Sequence, residues 1–310
     1  MAKNLTPVFI GGTGRSGTTI ALNLLKDHSE FHASLPRELK LLTARFGALD
    51  LIYGRPFTFE ESIEGIRNNL VVRLLPLTGR HESALFARKL MGPWWSEMGK
   101  AGKPRGLVQA IDHATLVTAH SNFNRDFSAD PVTATRDLFY SLADAQIKKP
   151  EVRLFGDSTP VNMMHAERLY KVFPEAKFVQ MVRDGRDVAL SVSKEKWGPN
   201  NPYKCLTWWA NRMSKAAGAL AHVPVTSQIS IRLEDLAVNS RQETYSRYLA
   251  FLGIPDEPRM REYFDTQVSS EKLHKGRWKS EVSNPKKFDA QYKKILEKLE
   301  ERGVSVKLLA

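Results

Sequence analysis

Pro7-Val8-Phe9-Ile10-Gly11-Gly12-Thr13-Gly14-Arg15-Ser16-Gly17-Thr18-Thr19-Ile20-Ala21-Leu22 runs from an apolar strand, through glycines, into the start of a helix. Such a turn leaves backbone N–H groups free at the positive end of the helix, where an anion fits. The spacing is that of a nucleotide P-loop with one change. The lysine position is Thr18, and a cation stands three places earlier as Arg15. Gly14, Arg15, Ser16, Gly17, Thr18 and Thr19 are the expected phosphate cradle, without the part that handles a triphosphate. Two rivals fit the same glycines. One is a dinucleotide fingerprint with Glu38 as the ribose acid. The other is a true ATP loop, weakened by Thr18 and by the lack of a clear apolar strand ending in Asp for magnesium.

The strand–helix rhythm returns further along. Residues 152–155, 177–182 and 229–232 read as strands, and 166–173, 187 to about 194 and about 243–252 as the helices behind them. This order predicts an α/β fold, a P-loop-like parallel β-sheet flanked by helices, with ligands at the strand C-termini. Residues of about 43–150 break the rhythm and read as an inserted helical region, interrupted by Pro56, Pro76, Pro93, Pro104 and Pro131. A single domain over 1–310 is expected. Phe288, Tyr292, Ile295, Leu296 and Leu299 fall at helical spacing and read as core packing of a last helix.

Composition narrows the class. The chain has 310 residues, 42% of them hydrophobic, which is ordinary for a folded protein. No run is long and apolar enough for a membrane span, and too few residues precede the first strand for a signal peptide. The lone Cys205 gives neither a disulfide framework nor a zinc pattern. A soluble, cytoplasmic protein without a metal is the simplest expectation. The net charge of +12 favours an anionic partner, yet the basic residues are dispersed and form no long nucleic-acid arm. Lys272, His274, Lys275, Arg277 and Lys279 do cluster, suggesting a local anion site.

A second motif follows the third strand: Val182-Arg183-Asp184-Gly185-Arg186-Asp187-Val188-Ala189-Leu190-Ser191. Arg183 ends a buried strand and Ser191 lies about one turn into the next helix. An arginine fork and a hydroxyl suit a terminal phosphate. Asp184 and Asp187 suit the helix start as caps, and Arg186 suits pairing with a neighbouring carboxylate.

With both motifs in view, the chain resembles the sulfotransferases that use 3′-phosphoadenosine 5′-phosphosulfate (PAPS). The resemblance covers residues 7–40 and 150–300. It implies that loop 11–19 holds the 5′-phosphosulfate and motif 178–191 the 3′-phosphate, through Arg183 and Ser191. It implies that Gly276, Arg277, Trp278 and Lys279, within 272–303, close over the nucleotide. Arg232-Leu233-Glu234-Asp235-Leu236 and Phe251-Leu252-Gly253-Ile254-Pro255 match structural signatures of the same family. Gly14 and Gly185 depart from it, each standing where a proline is common. Gly156-Asp157-Ser158-Thr159-Pro160 lacks the lysine of the corresponding family loop and is given no catalytic role.

The activity so implied is transfer of a sulfuryl group to an acceptor hydroxyl on a small molecule, glycan or lipid, with no nucleic acid partner. Region 43–150 would then bind the acceptor. Glu38, at what reads as a helix start, is the expected catalytic base beside Arg15. His113 is the alternative base. Trp94-Trp95 and Trp208-Trp209 read as core. A small-molecule kinase and a non-enzymatic nucleotide or polyanion binder are the other readings.

Overall fold

The computed structural model describes residues 5–54, 79–99, 102–273 and 275–305. Among the described residues seven strands occur in chain order: β1 Thr6–Gly12, β2 Phe31–Ala33, β3 Glu97–Met98, β4 Pro104–Arg105, β5 Leu154–Asp157, β6 Lys177–Val182 and β7 Gln228–Arg232. The chain divides into two compact units, 1–38 with 147–310, and 39–146.

The first unit holds a five-stranded sheet in the order β2-β5-β1-β6-β7, parallel throughout. The α/β class expected from the sequence is the one observed. Strands β1 and β6 are mainly apolar because helices cover both faces, and the buried Gln180 of β6 accepts from Ser230 Oγ at 2.8 Å. Val8 and Ile10 pack with Leu22, Leu25, Tyr245, Tyr248 and Leu252 on one side. Phe9 points the other way and meets Phe173 and Phe178, with ring centroids 5.6 and 5.7 Å apart. A second cluster joins the helices Gly185–Val192, Pro202–Leu220 and Pro285–Glu301 around Trp209, Phe288 and Tyr292. Phe288, Tyr292 and Leu299 are buried there, as their helical spacing predicts. The helix 202–220 has no counterpart in the sequence reading, although Asn201 caps it and Pro202 opens it.

The second unit, which begins at Leu39, contains the helices Ala48–Tyr53, Gly79–Met91, His113–Asp126 and Pro131–Gln146 and the β3–β4 ribbon. Its core includes Phe86, Trp94 and Phe123. Pro56 and Pro76 lie outside the described residues. Among the described residues no helix is long and apolar enough to cross a membrane.

Both departures from the family pattern have a steric reason. Gly14 has φ 86°, which the proline ring forbids. A Cβ on Gly185 would lie 2.7 Å from the indole of Trp209, which is fully buried. Gly185→Ala is therefore expected to destabilise the protein by about 1–3 kcal/mol, read as a lowered thermal midpoint. An unchanged midpoint would show that the indole has room to shift.

Candidate active site

Sheet register brings the two anion motifs together. Gly12 pairs with Met181, so the glycine loop and Arg183 leave the sheet side by side at the strand C-termini. The loop is left-handed at Gly14, Arg15 and Gly17, with φ 86°, 57° and 98°. Arg15 is the non-glycine member, and that conformation costs about 1–2 kcal/mol. Gly17 opens helix α1, Thr18–Leu25, without a side-chain cap.

Among the described residues, no backbone amide from Gly14 to Thr19 donates a hydrogen bond. The buried hydroxyl of Ser16 also lacks a partner. Buried polar groups are nearly always bonded, so this is a concentration of unused donors at a helix start.

Arg183 lies against this loop. Its Nη1 donates to the Arg15 carbonyl (3.3 Å) and its Nη2 to the Leu273 carbonyl (2.9 Å), while its buried Nε has no partner. Ser191 falls in the last turn of helix Gly185–Val192, a turn further along than the sequence suggests. Its hydroxyl accepts from Arg15 Nε at 2.9 Å. The two motifs thus touch directly, through an arginine long enough to reach both. Arg15 also faces Glu195, 3.7 Å away, a carboxylate that belongs to neither motif.

The acids of the second motif divide their work. Asp184 caps the helix, accepting from the Arg186 amide at 2.8 Å, and its own amide donates to buried Glu234 at 2.9 Å. Burial pushes the Glu234 carboxyl above its usual range. Arg186 pairs with Asp184 and Asp289, as its neighbours allow. Asp187 was expected to cap as well. It accepts instead from the Gly276 amide at 2.8 Å.

Of the late segment, Arg277 and Lys279 are exposed, and Arg277 pairs with Glu281. Trp278 is turned inward, buried against Phe288 and under Arg186, whose guanidinium lies 4.6 Å from the ring. Its indole is therefore engaged in packing. His274 lies outside the described residues. Trp209 and Trp94 are buried, as expected, but Trp208 meets Trp197 at 5.9 Å. A Cβ on Gly14 would lie 3.6 Å from Trp197, so that half-exposed indole borders the loop unannounced by any motif.

Glu38 does not begin a helix. It is exposed in an irregular segment after β2. The carbonyls a helix would need are taken: Ser34 Oγ donates to Pro36 O at 2.9 Å, and the Ser158 amide to Arg37 O at 2.8 Å. The result is a tether fixing the backbone beside Glu38 to the end of β5. The same loop corrects the expectation about a strand ending in Asp. β5 ends in Asp157, next to β1, but its carboxylate accepts from Thr159 N, Thr159 Oγ1 and Asn162 Nδ2 at 3.1, 2.7 and 2.9 Å. His113, in the second unit, is exposed at a helix start with its ring 5.5 Å from Trp95.

A parallel sheet opening into a loop of unused donors, with Arg15 and Arg183 at that edge, defines an α/β protein whose candidate site lies at its strand C-termini. Residues 79–258, more than half the chain, match the model of the sulfotransferase family. The chain belongs to that family and is a transferase. The matched span includes Arg183 and Ser191, and the glycine loop lies outside it. The fold is similar to a sulfotransferase domain from the curacin biosynthetic pathway, at 18% identity and TM-score 0.52, covering 96% of this chain and 98% of that one. It is equally similar to the sulfotransferase domain of the Synechococcus PCC 7002 olefin synthase, at 16% identity and TM-score 0.52, covering 96% of each chain. No curated protein sequence matches.

Proposed function

We propose that the protein moves the sulfuryl group of PAPS to an acceptor hydroxyl. The observation that carries this is the set of donors without acceptors: the amides of 14–19, Ser16 Oγ and Arg183 Nε. PAPS presents a phosphosulfate and a separate 3′-phosphate, all acceptor oxygens, so it fits such a set. It supplies an activated sulfuryl group whose leaving group is a nucleotide phosphate. The amides of Gly14 to Thr19 and the Arg15 guanidinium would hold the phosphosulfate and stabilise the charge growing on the bridging oxygen. Arg183 and Ser191 would hold the 3′-phosphate, with Arg277 and Lys279 following Gly276, whose amide donates to Asp187 of the same motif. Glu38 would take the proton of the acceptor hydroxyl. Region 39–146 is assigned the choice of acceptor, a small molecule, glycan or lipid. A kinase reading is disfavoured because the Asp157 carboxylate is already bonded to Thr159 and Asn162.

A complex with adenosine 3′,5′-bisphosphate tests the assignment. The 5′-phosphate is expected on the loop amides and the 3′-phosphate on Arg183 and Ser191. An empty loop, or Arg183 turned away from the nucleotide, contradicts it. Glu195 should compete with the ligand for Arg15. An exposed pair of this kind is worth at most about 1 kcal/mol, so Glu195→Gln is expected to tighten bisphosphate binding about two- to fivefold by calorimetry. Weaker binding would mean that Glu195 helps to place Arg15.

A further inference from the structure

The acid at Asp187 is spent in a way the reaction does not explain. It sits in the first turn of helix Gly185–Val192 and is 4% exposed. Burial pushes its carboxyl above the usual range, with the Gly276 amide, and Arg183 less strongly, opposing the shift. Asp184 already caps this helix, so Asp187 is not needed there. One of its oxygens accepts from the Gly276 amide, 89 residues away, at 2.8 Å, and the other is buried without a hydrogen-bond partner. A second tie runs in parallel from the same motif, Arg183 Nη2 to the Leu273 carbonyl. Between and after these points stand Lys275, Arg277 and Lys279, all exposed. The segment's other anchor is Trp278, packed under Arg186.

We infer that Asp187 is a positioning residue, fastening the segment 275–279 to the phosphate motif through the Gly276 amide so that its cations stand ready for the 3′-phosphate end of a nucleotide. This rests on the donor reading above. A side-chain amide accepts the same bond, so the device depends on the acceptor atom, and Asn is the conservative replacement. Arg183 then acts twice, once toward the ligand and once, through Leu273, toward the segment that covers it.

The test pairs two variants, Asp187→Ala and Asp187→Asn, with two readouts. The first is hydrogen exchange of the Gly276 amide in ligand-free protein. Wild type is expected to protect it, Asp187→Ala to speed its exchange by about tenfold or more, and Asp187→Asn to retain most of the protection. The second is affinity for adenosine 3′,5′-bisphosphate. It is expected to fall about fivefold in Asp187→Ala, with the donor KM raised and kcat nearly unchanged, and to recover in Asp187→Asn. An exposed Gly276 amide in the wild type overturns the inference without any variant having to fold. So does an Asp187→Ala protein that loses thermal stability but keeps wild-type affinity and KM, or an Asn variant as impaired as Ala. If the wild type protects Gly276 but binds no bisphosphate, the donor reading fails and the fastening stands.

Discussion

Glu38→Gln is expected to lower kcat by about 10²–10⁴-fold while leaving the affinity for adenosine 3′,5′-bisphosphate at the wild-type level. The reason is a division of labour along the edge of the sheet. On the proposed assignment the glycine loop and Arg183 hold acceptor-rich groups, and a carboxylate adds nothing to that. A hydroxyl attacking sulfur must lose its proton, and Glu38 is the acid whose neighbouring backbone is tied to the end of β5, two bonds from Ser158 reaching the Arg37 carbonyl. Glutamine keeps the shape and removes the basicity. Steady-state kinetics beside calorimetry reads both effects. Retained turnover in Glu38→Gln, with turnover lost in His113→Ala, moves the base to the helical unit. Lost nucleotide affinity in Glu38→Gln makes Glu38 a binding residue, as the ribose-acid reading of the glycine loop supposes.

Arg183→Ala is expected to weaken bisphosphate binding by about 100-fold, since a charge-assisted bond to a preorganised guanidinium is among the strong ones. Two of its nitrogens are fixed on Arg15 O and Leu273 O, and the buried third is unused. Lysine is not expected to restore the affinity, because its three donors radiate from one nitrogen and do not reproduce the wide planar fork that spans both carbonyls and a phosphate. The selectivity of the loss is the informative part. Adenosine 5′-monophosphate, which lacks the 3′-phosphate, should lose far less than the bisphosphate. An equal loss for both would place Arg183 at the 5′ end of the ligand, or make it a brace for the loop alone.

The sheet and its edge were legible because their signals are local. Val8-Phe9-Ile10 and Phe178-Val179-Gln180-Met181-Val182 are runs that only a central parallel strand needs, and Gly12 to Thr19 is a turn with little other use. The helix stripe of Phe288, Tyr292 and Leu299 was legible for the same reason. What escaped is set by partners distant in sequence. Asp187 looks like a helix-start acid until Gly276 is seen beside it. Glu38 looks like a helix start until Ser158 takes the Arg37 carbonyl. Asp157 ends a strand that the sequence reading stops two residues earlier, at Phe155, and Trp197 acquires meaning only from its closeness to Gly14. Trp278 sits between two exposed cations in sequence, yet packing against Phe288 and Arg186 turns its ring inward.

The central claim is that one site prefers an adenylate phosphorylated at both ends of its ribose. Calorimetric titration of the unmodified protein in a chelator-containing buffer measures this directly, with adenosine 3′,5′-bisphosphate set beside adenosine 5′-monophosphate, ATP, NAD and a short oligonucleotide. The account predicts that the bisphosphate binds tightest, by about tenfold or more over ATP. Binding of ATP, NAD or the oligonucleotide as tight as that of the bisphosphate would contradict it.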